Sequence, residues 1–193
     1  MKAGRGKAKG NSFELQTCKQ LSLWVSQGQR ADLFARNVLS GGRFTSAKKA
    51  GQETSIPGDL MANSPLAYEF LSVFSIECKH WKSLALESYL FDVKGTSALA
   101  KIIQHCIADC AHARTHWLLI ARQNRKPTMI FFSGTLVSVF QPRPQKQKRM
   151  RINTTITKHL LHEGRVVMMP LESFLRGVNA NAFVQQAKIQ LGD

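Results

Sequence analysis

Nothing in the chain approaches the roughly 18–20 consecutive apolar residues that a bilayer span requires. The segment Met1–Gly10 is basic but has no apolar stretch, so a secretory signal is not expected. Cysteine is sparse, four residues in 193. That is no disulfide framework, and a reducing cytoplasm is the expected compartment. Acid is also scarce, with 12 Asp and Glu against 27 Lys and Arg, a formal net charge of +15. Such an excess suits nucleic acid or an anionic membrane surface. There is no glycine-rich phosphate loop, no Ser or Cys nucleophile motif and no dinucleotide fingerprint. Aromatic residues are not interleaved with the cations, which gives little support to base stacking on single strands.

What is present is enough for one domain with a buried core. The composition, 44% hydrophobic, is that of a globular chain. Residues 1–11 read as a mobile basic tail, and a helix is expected from Asn11 or Ser12, with Asn11 and Glu14 as a capping box. Glu14, Cys18, Leu21 and Val25 share a helical face, ending at Gln27-Gly28-Gln29. Leu33–Val38 reads as a strand, followed by the open loop Ser40-Gly41-Gly42-Arg43 and a polar loop over 44–58. Gly58–Ala62 begins the next strand and Leu71–Cys78 forms another, with residues 63–70 as an extended turn. Ser97–Ala113 has helical spacing. Trp117–Ala121 and Thr128–Phe132 are near-continuous apolar runs, as in buried strands, joined by a polar turn. Leu136–Phe140 reads as a strand, Gln141–Arg151 as an exposed basic loop, Arg165–Met169 as a last strand and Pro170–Arg176 as a short helix. The expected organisation is a basic tail over 1–11, a core over 12–140, and a basic loop with a strand and helix extension over 141–193. The expected class is α/β, a mixed central sheet flanked by helices.

The chemistry concentrates in a D-x17-E-x-K pattern, Asp59 followed by Glu77 and Lys79, with the E-x-K closing the apolar run Phe70–Ile76. Two carboxylates on neighbouring strands can hold Mg²⁺, a hard cation that takes oxygen ligands. A lysine beside them can orient a water or stabilise developing phosphorane charge. That is chemistry for cutting a phosphodiester.

Glu14, Ser40-Gly41-Gly42-Arg43, Gly58-Asp59 and Glu77-Cys78-Lys79 occur in an order that resembles the PD-(D/E)xK nuclease superfamily. Within it the chain is similar to archaeal-type Holliday junction resolvases and their phage and prophage relatives. The resemblance covers roughly residues 10–133, including Ile103–Cys106 and Trp117–Arg122 as a helix-then-strand continuation. Two features depart from it. Gly58 stands where the family has proline, with Pro57 one place earlier, and the gap from Asp59 to Glu77 is longer than a tight hairpin needs.

The resemblance implies a restriction-endonuclease-like core. It implies that Asp59, Glu77 and the Cys78 backbone carbonyl bind Mg²⁺, with Mn²⁺ as a substitute, and that Lys79 positions the attacking water to leave a 5′-phosphate. Glu14 would help hold a second ion or that water; its other reading is a surface salt bridge. Ser40 and Arg43 can contact the scissile phosphate, with Gly41 and Gly42 letting the backbone approach; for Arg43 a solvated loop is the alternative. Gln104 is a DNA-contact candidate on a flanking helix, or plain surface polarity. His80 has two readings, a site residue or a strand cap. Lys2, Arg5, Lys7 and Lys9, with Arg143, Lys146, Lys148, Arg149 and Arg151, can bind phosphates without reading bases.

The expected partner is DNA, branched or duplex, and the symmetry of a four-way junction favours a homodimer. For a phage-borne chain the compartment is the bacterial host's cytoplasm. Rival readings are a nicking, restriction-type or exonuclease enzyme on linear DNA, a non-catalytic DNA-binding protein, and an RNA-binding protein on charge alone. Cys106, Cys110 and His112 lack a fourth ligand for zinc. His159-Leu160-Leu161-His162-Glu163 does not have the H-E-x-x-H order.

Overall fold

Alternating and continuous apolar runs supply the strands, and strands with two buried faces need helices on both sides. A computed structural model shows that arrangement, describing residues 4–37, 58–83, 88, 89, 92, 94–140, 155–157 and 165–192. In chain order the elements are α1 (Gly4–Val25), β1 (Phe34–Arg36), β2 (Leu60–Ala62), α2 (Pro65–Val73), β3 (Phe74–Trp81), α3 (Ala98–Ala113), β4 (His116–Gln123), β5 (Thr128–Ser133), a 3-10 helix (Gly134–Phe140), β6 (Thr155–Thr157), β7 (Val166–Pro170), α4 (Leu171–Gly177) and α5 (Ala180–Leu191). The main sheet is ordered β3-β4-β5-β7-β6; β3 and β4 run parallel, and the other neighbours are antiparallel. A separate antiparallel pair, β1 and β2, stands at the free edge of β3. The protein is therefore α/β, with a mixed sheet between helices and a restriction-endonuclease-like core. Among the described residues no helix is long and apolar enough to cross a membrane.

One face of the sheet carries Phe74, Ile76, Cys78, Leu118, Ile120, Ile130 and Phe132, packed under α1, α2, α4 and α5. Aromatic rings dominate this core. Phe74 and Phe183 stack at 4.8 Å, and Trp24, Phe132 and Phe174 complete the cluster. The other face, with Leu119, Ala121, Phe131 and Met168, is covered by α3 through Leu99, Ile103, Cys106 and Cys110.

Several elements differ from the sequence reading. α1 begins at Gly4, so residues 4–10 are helical rather than part of a tail, and Asn11 is no cap. The extension is anchored by tertiary contact, Lys9 Nζ donating to Asn124 Oδ1 at 2.5 Å and Phe13 packing on His80 at 5.2 Å. Such contacts outweigh the low helix propensity of its glycines. Residues 65–73 form α2 rather than an extended turn and the start of a strand. Ser64 caps it by accepting from Ala67 N, and Pro65 takes the first turn, where its missing N–H costs nothing. Gly134–Phe140 is a 3-10 helix, not a strand, and buries Leu136. The expected C-terminal helix is α4, with Pro170 at its cap. α5 lies beyond the expected elements. Asn179 caps it, and Ala180, Phe183, Val184 and Ala187 form a buried stripe spaced i, i+3, i+4, i+7.

Candidate active site

The site forms where β2 meets the free edge of β3. Asp59 N donates to Ile76 O at 2.7 Å, and Cys78 N donates to Asp59 Oδ2 at 2.8 Å. Ile76 O and Cys78 N both face this edge, so strand alternation turns the Cys78 carbonyl there too. Asn37, just after β1, completes the frame: its N donates to Asp59 O at 2.8 Å and its side chain to Gly58 O at 3.1 Å.

Gly58 makes the close approach feasible. Its φ is +117°, and a Cβ there would lie 2.7 Å from Ile76 O and 2.9 Å from Ile76 N. No side chain fits, and proline, fixed near φ −65°, cannot take this conformation. The glycine found where the resemblance has proline is thus a local requirement. α2 fills the long gap between Asp59 and Glu77, and the two acidic residues still converge.

Glu77 and Lys79 project from β3 toward α3, opposite to Ile76 and Cys78. They form an ion pair, each about a third exposed. Burial raises the Glu77 carboxyl above its ordinary range, Asp59 and Asp109 raise it further, and Lys79 opposes them. Burial alone would pull the Lys79 ammonium down; Glu77 and then Asp59 more than offset this, and its pKa lies above normal. Two acids crowded together in a partly desolvated place are poised to accept a cation.

The donor set fits a hard divalent ion. Among the described residues no three His, Cys, Asp or Glu side chains gather. Two carboxylates and a carbonyl remain, which leaves positions for water and phosphate, the usual manner in which Mg²⁺ is held. The thiols do not compete. Cys78 is buried and its pKa is pushed well up, by burial first and then by Asp59. Burial likewise raises Cys106 and Cys110, and it raises Cys18 to about 11. Protonated, enclosed thiols are neither nucleophiles nor zinc ligands.

The remaining sequence candidates divide. Glu14 Oε2 accepts from Arg36 Nε at 2.6 Å, and Arg36 also donates to Asn11 Oδ1 at 2.7 Å. The residues expected to cap a helix instead clamp an arginine on β1. His80 lies on the face opposite Glu77, against Phe13. Gln104 is exposed on α3. Ser40, Gly41, Gly42, Arg43, Arg143, Lys146, Lys148, Arg149 and Arg151 lie outside the described residues. Sequence reasoning missed Arg36, Asn37 and Asp109. Asp109 stands three residues after Cys106 on the sheet-facing side of α3, a spacing that gave a faint signal.

A family model described as "Phage putative PDDEXK endonuclease" matches residues 5–185. The chain belongs to this family. The match runs from α1 into α5, so it takes in the C-terminal third that the motif resemblance left uncovered. No curated protein and no solved structure matches the chain. Family membership supports a nuclease activity.

Proposed function

We propose that the protein is a metal-dependent DNA endonuclease that resolves branched DNA, of the Holliday junction resolvase kind. The observation that carries the chemistry is the convergence of Asp59, Glu77, Lys79 and the Cys78 carbonyl on one free strand edge. Asp59, Glu77 and that carbonyl would hold Mg²⁺, or Mn²⁺ in its place. When bound, the ion supplies Lewis acidity and a water of lowered pKa. Asp59 is oriented for this by the Cys78 N–H. Lys79, held by Glu77, hydrogen-bonds the attacking water or the phosphate as negative charge develops. Hydrolysis adds water across the P–O3′ bond and leaves a 5′-phosphate and a 3′-hydroxyl. Glu14 acts indirectly, by fixing Arg36 beside the site.

Branched substrate rests on the resemblance to junction resolvases, as does a homodimer, whose two sites would cut symmetry-related strands. Ser40 to Arg43, Gln104 and the basic segment Arg143, Lys146, Lys148, Arg149 and Arg151 are proposed DNA contacts. Action in the cytoplasm of a bacterial host follows from the phage kinship.

The test is cleavage of labelled four-way junction, linear duplex and single-stranded DNA with Mg²⁺ or Mn²⁺, comparing wild type with Glu77→Ala. Paired nicks on the junction are expected. Glu77→Ala should lose more than about a hundredfold in rate, beyond what an outer-shell partner typically costs. Cutting of linear DNA alone would remove the junction assignment and keep the nuclease. Binding without metal-dependent cutting would leave a DNA-binding scaffold.

A further inference from the structure

We propose that the β4–β5 turn and the end of β3 form a second DNA-contact surface, which grips the phosphate backbone of the duplex flanking the scissile bond. The inference rests on the nuclease reading for its partner, and on charge placement for its position.

Five cations from four segments meet there: Lys9 of α1, Lys82 after β3, Arg122 of β4, and Arg125 and Lys126 in the turn. The turn is fastened to β3 by Asn124 N donating to Trp81 O at 3.1 Å. Lys9 donates to Asn124 Oδ1 at 2.5 Å. Arg122 donates to Gln16 Oε1 and Thr128 Oγ1 and lies 4.9 Å from the Phe13 ring centre. All these partners are neutral. Among the described residues none of the five cations is ion-paired with a carboxylate, and Lys82, Arg125 and Lys126 are exposed.

Several cations elsewhere have acidic partners. Arg30 meets Asp32, Arg176 meets Glu172, and Lys188 meets Glu69. With so few acidic residues in the chain, leaving this corner unpaired favours an external polyanion. The position suits the scissile strand. Trp81 and Lys82 follow Lys79 by two and three residues, about 7–10 Å along the strand. At about 3.4 Å of axis per phosphate, that is two or three phosphates from the one being cut. Lysine and arginine contacts of this kind add affinity without reading sequence.

The test measures equilibrium binding to a labelled linear duplex across a salt series, with a chelator present so that no cutting occurs. The patch variant is Arg125→Asn with Lys126→Gln; asparagine tolerates the φ of +61° at position 125. The charge-matched control is Arg176→Gln with Lys188→Gln. The patch variant should bind more weakly, and its slope of log K against log salt should be shallower by about 2, near 0.9 for each phosphate it no longer neutralises. The control should keep the wild-type slope. A wild-type slope in the patch variant, an equal loss in the control, or no duplex binding by wild type would overturn the proposal. Cleavage of junction and duplex by wild type separates the two readings. Cutting with an unchanged patch slope removes the patch and leaves the nuclease, whereas no cutting with a reduced patch slope does the reverse.

Discussion

Strand β3 separates two unlike faces. Phe74, Ile76 and Cys78 point into a core of stacked and edge-on aromatic rings beneath four helices. Ser75, Glu77 and Lys79 point the other way, toward one helix, α3. Ser75 there shares a hydrogen bond with Thr115 at 2.7 Å, and Glu77 and Lys79 remain partly exposed. Alternation along a single strand thus assigns the aromatic core to one face and the candidate site to the other. A slip of one residue would exchange them. The aromatic face fixes the register, and the register places the acid and the lysine.

The sharpest way to strain this division is from the packed side. Phe183 is fully buried and touches Phe74, Phe132, Phe174 and Trp24. Phe183→Ala should destabilise by about 3–5 kcal/mol, measured by urea unfolding. Cleavage per folded molecule should nevertheless stay near wild type in the cold, because no group of the site has moved. Loss of specific activity in molecules shown to be folded would mean that the two faces are not separable.

Gly58 is where the two faces are joined, so its replacement should affect both. Gly58→Ala forces a Cβ against Ile76 backbone at a positive φ. The strain should cost about 1–3 kcal/mol, and Asp59 must shift away from Cys78 N. Cleavage should fall steeply along with stability. Gly28 is the control: its φ is also positive, at +89°, but its Cβ would meet nothing within 4 Å. Gly28→Ala should lose some stability and keep cleavage. Equal activity loss in both variants would break the assignment of Gly58 to the site.

The two faces were also unequally legible in the sequence. The strands β4 and β5 stood out because an apolar run has few alternatives once a turn follows it. Asp59, Glu77 and Lys79 stood out because order along the chain carries their relation. α2 was hidden by Ser-Pro, which reads as a turn and also as a helix start. α5 was hidden by sparse apolar residues, whose stripe has meaning only against Phe74 and Phe132. Arg36, Asn37 and Asp109 converge on the site only in three dimensions. The same holds for the cations around the β4–β5 turn, which come from four segments and form no run, unlike Arg143–Arg151. Glu14 had two readings, a role in the site or a salt bridge; it is paired with the guanidinium of Arg36, in a partly buried rather than a surface position.

The smallest effect concerns the seam between β4 and α5 on the packed face. His116 Nε2 lies 3.0 Å from Ala187 O and its ring 5.9 Å from Phe74. Burial lowers its pKa below the ordinary 6.5, and the Ala187 carbonyl, which accepts from the ring N–H, only partly opposes this. As pH falls through 6.5 the unfolded chain takes up this proton before the folded one. The stability that His116 contributes is therefore whole above that pH, and it is lost as pH falls through the lower folded value. His116→Gln keeps an amide donor for Ala187 and removes the titration. The variant should show a shallower fall in melting temperature on mild acidification than wild type. His80, whose pKa is also lowered, is present in both proteins and cancels in the comparison. Identical acid slopes would mean that the seam is insensitive to charge at His116, and that the packed face owes its stability to the aromatic cluster alone.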